Sequence, residues 1–383
     1  MKKLFMIFML GALFLLTSCQ AEEIDPEPEE KVNLLSGTLL ADHYIAWYGR
    51  TEYKQDRMYF YHTATGFKVR FYGRVVQLTL SLTDKNNDIY FSIAKDGESL
   101  LDCDVIVLSD FEETYQVSFE TYDEHELEVV KRSEPEDGIT SLKSVSTNGE
   151  FLEITPDEDR LHFLIVGASG ISGHGALGSA GEPRTTENSS SLHSFGYLTA
   201  MHYGGSWEFV SNSGWGLKYG YNDRSGNVNI YEAYQYVGID NHQDLIETPY
   251  DHHKVPDVVI VNIGGNDWNA VIRNYAGFEQ QEKIDAFKAQ VATFILTLRE
   301  DAPFTHVIWT MTAGSNNGQA AVDVINLLDP EDKAFVHVVV IKQVGEDGDP
   351  VGADNHASYV THQKSAQNII DILDTLLIIN GLI

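Results

Sequence analysis

Three short segments carry side chains suited to nucleophilic chemistry on an ester. Ser169 lies in Gly167-Ala-Ser-Gly-Ile-Ser-Gly-His-Gly175, directly after an apolar run. A hydroxyl in a Gly-rich turn at a strand end is exposed, and the glycines let a substrate approach the backbone. Such a turn can also cradle phosphate, but this one lacks the Gly-Lys-Ser/Thr ending and the dinucleotide spacing. Asn266, in Gly264-Gly-Asn-Asp267, follows another apolar run. An amide there can donate to a developing oxyanion without a full charge, although Asn266 and Asp267 equally suit an Asx turn or helix cap. The third segment is Gly352-Ala-Asp-Asn-His356. With one residue between them in extended chain, Asp354 and His356 point the same way, so the Asp354 carboxylate is expected to hold Nδ1 of His356. Nε2 is then free to take a serine proton.

Other residues of similar type read as structure. Ser172 lies three residues further into the turn and is a weaker nucleophile candidate than Ser169. His362 begins a helical segment, where capping or packing explains it. His252 and His253 follow Asp251, but adjacent side chains diverge and no third ligand is placed, so no metal site is expected. Trp215 and Trp268 flank the glycine and asparagine segments and are candidates for a sugar-stacking wall or for packing.

Two patterns of periodicity must position these groups. Between residues 33 and 153, short alternating runs such as Met58–Tyr61, Phe67–Tyr72, Val75–Leu80, Ile89–Ile93, Tyr115–Phe119 and Glu126–Val130 are separated by turn residues. Period two with aromatic and β-branched enrichment predicts an antiparallel β-sandwich of about eight strands, of jelly-roll type. From 158 to 383 the pattern changes. Near-continuous apolar strands are expected at Leu161–Val166, Trp207–Val210, Val258–Ile263, His306–Thr310 and Phe335–Ile341, with helices at Ser191–His202, Gln280–Arg299, Ala320–Leu328 and Tyr359–Leu377. This alternation predicts an α/β domain with a parallel sheet covered on both faces. Ligands of such sheets sit beyond the carboxyl ends of the strands, where the three segments fall.

The segments taken in order resemble the SGNH (GDSL-type) hydrolases: Ser169 after the first strand, Gly214 in Ser213-Gly-Trp-Gly216 after the second, Asn266 after the third, and His356 before the last helix. The resemblance implies a three-layer α/β/α fold. It also implies a serine ester hydrolase with Ser169 as nucleophile, His356 as base oriented by Asp354, and an oxyanion hole formed by Ser169, Gly214 and Asn266. Tyr48-Gly-Arg50, His125-Glu-Leu-Glu-Val-Val-Lys-Arg-Ser-Glu134, Thr186-Glu-Asn188 and His362-Gln-Lys364 extend the likeness to carbohydrate esterase family 2. That family implies removal of acetyl groups from hemicellulose-type polysaccharide, without metal or cofactor. Two positions depart from its pattern. Ala168 stands where an Asp usually precedes the serine, which leaves the loop without a bracing carboxylate, and Ala357 replaces the usual Pro after the histidine. Two other functions stay open: an SGNH esterase for a lipid or another glycan, which long-acyl preference would reveal, and a catalytically weakened glycan-binding surface protein.

The 383-residue chain has a formal net charge of −31 and no basic cluster, which argues against nucleic acid and anionic surfaces as partners. Lys2 and Lys3, the apolar run Leu4–Leu16 and Leu16-Thr-Ser-Cys19 have the layout of a bacterial lipoprotein signal. Residues 1–18 are therefore expected to be removed and Cys19 lipidated, tying the protein to a membrane. The acidic stretch within 19–32 is too charged to fold alone and would act as a tether; it resembles the surface-export signal of Bacteroidetes lipoproteins. An outer-membrane or cell-surface location is expected. Cys103 is then the single remaining thiol, a small core residue, so neither an internal disulfide nor a cysteine metal site is expected.

Overall fold

Alternating apolar residues build ten strands in the N-terminal half of the computed structural model, which describes residues 31–155, 160–223, 228–252 and 254–380. They are β1 (Leu34–Ser36), β2 (Ile45–Tyr48), β3 (Thr51–Lys54), β4 (Arg57–Phe60), β5 (Gly66–Lys85), β6 (Ile89–Lys95), β7 (Asp104–Leu108), β8 (Glu112–Lys131), β9 (Gly138–Thr147) and β10 (Glu150–Leu152). All ladders among them are antiparallel, around a spine in the order β3-β4-β9-β5-β8-β6-β7. Two pairs of expected strands are continuous. Phe67–Tyr72 and Val75–Leu80 both belong to β5, and Tyr115–Phe119 and Glu126–Val130 both belong to β8. The β5–β8 register shifts between Gly73 and Val75, so one long ladder bends there instead of ending. Phe67, Val69, Phe71, Val76, Leu78 and Leu80 of β5 are wholly buried in the core of this half.

The C-terminal half places five parallel strands in the order β12-β11-β13-β14-β15. These are β11 (His162–Gly167), β12 (Ser206–Ser211), β13 (Val258–Asn262), β14 (His306–Thr312) and β15 (Val336–Ile341). The helices are α1 (Ser169–Ser172), α2 (Phe195–His202), α3 (Ile230–Tyr234), α4 (Gly265–Asn274), α5 (Gly277–Asp301), α6 (Asn316–Ile325), α7 (Pro330–Lys333) and α8 (Tyr359–Asn380). Alternation along each strand divides the core in two. Leu164, Val166, Val259 and Val261 pack with Phe287, Val291 and Phe294 of α5 and with α4 and α6. Phe163, Ile165, Val258 and Ile260 pack on the other face with Phe195 and Tyr197 of α2 and Ile369 and Leu373 of α8. This is the expected three-layer α/β/α domain. The helix expected from Ser191 to His202 is interrupted at Ser194, and α4 arises directly from Gly-Asn-Asp.

Both halves form one compact unit from Val32 onward. Arg50, wholly buried, crosses from the β-half and donates from Nε to Glu208 Oε1 of β12 at 2.8 Å. Its Nη1 donates to the carbonyls of Tyr234 and Tyr236, and its guanidinium lies 4.0 Å from the Tyr250 ring centroid. Tyr48 stacks on Trp207, whose indole N–H donates to Ala64 O at 2.8 Å. Among the described residues no helix is long and apolar enough to cross a membrane. The expected leader, Cys19 and most of the tether lie outside the described residues, as does His253.

Candidate active site

Ser169 is the first residue of α1, at the carboxyl end of β11. The turn around it tolerates little besides glycine. Gly173 has φ 65°, and a Cβ there would overlap Ser190 O. Gly175 has φ 64°, and a Cβ would stand 2.5 Å from Ala353 O. That contact matters because Ala353 N donates to Gly175 O at 2.9 Å, docking the 352–356 loop against the turn that carries Ser169. Gly352 N to His356 O and a bridge between Val351 and Ala357 close the same loop.

The result is a direct Ser–His contact: His356 Nε2 lies 3.0 Å from Ser169 Oγ. His356 Nδ1 lies 2.9 Å from the backbone carbonyl oxygen of Asp354. A carbonyl only accepts, so Nδ1 carries the proton and a neutral His356 presents the Nε2 lone pair to the serine. Burial, then the neighbouring His174, hold His356 below the ordinary histidine value, which keeps it neutral.

The expected Asp354 carboxylate–His356 hydrogen bond is not what the chain forms. Asp354 is not extended: it has φ 51° in a 3-10 turn, which rotates its side chain away from His356. Its Oδ2 lies 3.1 Å from His174 Nε2 instead. Of Asp354, only the backbone carbonyl meets His356.

Gly214 and Asn266 follow β12 and β13, the strands on either side of β11, and Asn266 lines the same cleft as Ser169. Among the described residues the backbone N–H groups of Ser169 and Gly214 have no hydrogen-bond partner. Asn266 Nδ2 donates to Trp215 O at 2.9 Å, which ties the asparagine segment to the glycine segment and leaves its second amide hydrogen to project elsewhere. Asp267, wholly buried, accepts from the N–H groups of Leu217, Lys218 and Tyr219 and so shapes the loop after Gly214. A cleft of about 250 Å³ opens beside Ser169, lined by Ala168, Asn262, Asn266, Asn269, Thr310 and Asn317 among others. Ala168 contributes only a methyl group to this wall.

Trp215 cannot be a sugar wall: it is 1% exposed within the core beneath the sheet ends, where its bulk is better dehydrated. Trp268 is half-buried against the same core and does not line the cleft. Ser172 is buried and donates to Ser211 Oγ, which removes it as a nucleophile. His362 is buried against Phe195, accepts from its N–H at Nδ1, and burial lowers it to about 3. His252 packs on Tyr234. Cys103 is half-buried beside the α2/α8 core.

Three participants escape sequence reasoning. His174 places its ring 4.1 Å from the His356 ring, centroid to centroid. Glu134, wholly buried at the end of the β-half, reaches Ser213 N at 2.6 Å and Ser213 Oγ at 2.8 Å. Arg184 pairs with Glu134 and, through both terminal nitrogens, with Asp137. His174 and Glu134 each stand inside motifs that the sequence displays, but the partner that gives either a role comes from the other half. His174, Asp354 and His356 also bring ligand-type atoms within 4.8 Å of one another, a spacing able to hold a metal ion. Both His174 nitrogens already have hydrogen-bond partners there.

Residues 47–156 match the family model for the carbohydrate esterase 2 N-terminal domain. A protein of Cellvibrio japonicus (strain Ueda107) named acetylxylan esterase / glucomannan deacetylase is 25% identical over 327 residues, 84% of this chain and 84% of that one. The chain resembles carbohydrate esterase family 2. Solved structures show the same fold across both halves. An acetyl xylan esterase from the rumen bacterium Butyrivibrio proteoclasticus superposes with TM-score 0.77 at 19% identity, covering 92% of this chain and 100% of that one. A family two carbohydrate esterase from Clostridium thermocellum, in complex with cellohexaose, gives 0.75 at 21% identity, covering 88% and 100%. The two-part architecture therefore extends over the whole of both solved chains.

Proposed function

We propose that the protein is a carbohydrate O-acetyl esterase acting on hemicellulose-type polysaccharide through Ser169 and His356. The observation that carries this reading is the 3.0 Å contact between His356 Nε2 and Ser169 Oγ beside an open, amide-lined cleft. In this mechanism His356 takes the Ser169 proton as Oγ attacks the acetyl carbonyl. The backbone N–H groups of Ser169 and Gly214 and the spare Asn266 amide hydrogen stabilise the oxyanion. His356 then protonates the departing sugar alkoxide. Water, deprotonated by the same imidazole, releases acetate from the acyl-serine.

The substrate class follows from the surroundings and from the relatives. The amides of Asn262, Asn269 and Asn317, set against only Ala168, Ile263 and Met311 as apolar lining, suit a short acyl group on a hydroxyl-rich carrier better than a long alkyl chain, which needs apolar walls. A net charge of −31 favours neutral glycan over an anionic lipid surface. The Cellvibrio relative bears the name acetylxylan esterase / glucomannan deacetylase, and the Clostridium structure holds cellohexaose. The sequence around Cys19 supports a location on the outer membrane or cell surface, where such polymers are met. Acetate release from acetylated xylan, glucomannan and pectin, set against hydrolysis of aryl esters from acetate to octanoate, tests the reading. Preference for acetate on one of the glycans is expected. Preference for octanoate would overturn it.

A further inference from the structure

The hydrogen bonds around His174 fix its charge. Glu134 Oε1 can only accept from Ser213 Oγ, so the single hydroxyl hydrogen of Ser213 is committed to it at 2.8 Å. Ser213 Oγ must then accept from His174 Nδ1, 2.9 Å away. On the other side, the Asp354 carboxylate can only accept from His174 Nε2 at 3.1 Å. Both ring nitrogens therefore carry hydrogens, and His174 is an imidazolium.

We propose that His174 is a cationic positioning residue for ester hydrolysis, through which Glu134 of the β-half fixes Asp354 and thereby the orientation of His356. The inference rests on the reading of His356 as the base. Asp354 occupies the left-handed region at φ 51°, a conformation that non-glycine residues adopt at a cost of about 1 kcal/mol or more. Two contacts hold it there: the ion pair to His174, and its N–H donating to Glu182 O at 2.8 Å. In that conformation its carbonyl meets His356 Nδ1. The cation also opposes protonation of His356, whose ring lies against it.

The groups facing this pair come from several elements. Glu134 and Glu136 approach from the end of the β-half, Arg184 from the loop after α1, Asp354 from the loop after β15, and His362 from α8. Burial works against charge on His174, but the Glu134 carboxylate, 3.7 Å from Nδ1, and the Asp354 carboxylate at Nε2 outweigh it and raise its pKa. Burial also opposes charge on Glu134, yet His174 and Arg184 hold that carboxyl down at about 2. Glu136 is pushed up to about 7, first by burial and then by the Glu134 charge.

Two measurements on the full-length protein test this. Nitrogen-15 NMR of the histidine rings at pH 7 should show both His174 nitrogens protonated while His356 Nε2 is bare, and Glu134→Gln should lower the His174 titration midpoint. A single-proton His174 at pH 7 would overturn the inference without any variant having to fold. In the pH profile of kcat/KM on an aryl acetate, His174→Gln should move the acid limb upward by roughly one unit, so activity falls more at pH 5.5 than at pH 8. An unmoved acid limb in a folded His174→Gln protein would contradict it. Full activity of His356→Ala would instead refute the catalytic reading and leave the ring-nitrogen result standing.

Discussion

The backbone carbonyl of Asp354 lies 2.9 Å from Nδ1 of His356, while the carboxylate of the same residue turns to His174. His356 is thus oriented by a group that no side-chain substitution can delete. This arrangement separates two properties that an aspartate triad combines, namely fixing the tautomer and facing the imidazolium with a full negative charge.

It follows that Asp354→Asn should lower kcat only about tenfold. Loss of a triad carboxylate costs roughly 10⁴-fold. Asparagine keeps the left-handed turn and the carbonyl. Steady-state kinetics on an aryl acetate would check this, and a loss near 10⁴ would return the carboxylate to the central role.

Gly175 separates the turn that carries Ser169 from the loop that carries His356. Gly175→Ala should push that loop outward, because its Cβ would stand 2.5 Å from Ala353 O at φ 64°. A displacement of about 1 Å is worth about 10²-fold in rate. The expected signature is a large fall in kcat with the fold retained by circular dichroism.

Much of this site was legible in the chain, for physical reasons. Glycines at strand ends and near-continuous apolar strands are local signals, and they placed Ser169, Asn266 and His356 at one edge of a parallel sheet. The side-chain direction of Asp354 was not legible, since one residue at φ 51° reverses an argument made for extended chain. Trp215 was equally opaque: proximity to Gly214 in sequence says nothing of which way an indole packs. Glu134 and His174 are 40 residues apart in the numbering, and only the packing of one half on the other brings them together at the site.

The junction of the halves makes its own prediction. Arg50→Met leaves Glu208 buried with its charge uncompensated, and removing one partner of a buried pair costs about 3–5 kcal/mol. Urea unfolding monitored by tryptophan fluorescence would read the loss directly. A change below about 1 kcal/mol would mean that Glu208 is readily solvated.

Acid should destabilise the fold well above the carboxylate range. Burial lowers His362 to about 3 and His193 and His337 to about 4. In the unfolded chain each histidine takes up a proton near pH 6.5, so the unfolded state binds more protons below that value. Their contribution is complete above about pH 6.5 and declines as pH falls toward 4. Glu134, held at about 2, adds a further loss below its unfolded value of roughly 4.5. His174 runs the other way: its raised pKa contributes stability below the unfolded value, which fades as pH rises through the folded one. Glu136, raised to about 7, runs the same way as His174, but melting temperatures from pH 8 to 4 should fall toward acid, since the depressed histidines, His62 and His356 among them, outnumber these two groups. A flat profile between pH 7 and 4.5 would contradict the buried neutral assignments.

In the proposed reaction Ser169, activated by His356, removes acetyl groups from polysaccharide. Acetate released from acetylated xylan and glucomannan by the wild-type protein and by Ser169→Ala, both verified as folded, addresses it most directly. Steady release by the wild type and a loss of at least about 10³-fold in the variant are expected. Equal release by both proteins, or none by the wild type on any acetylated glycan, would contradict it.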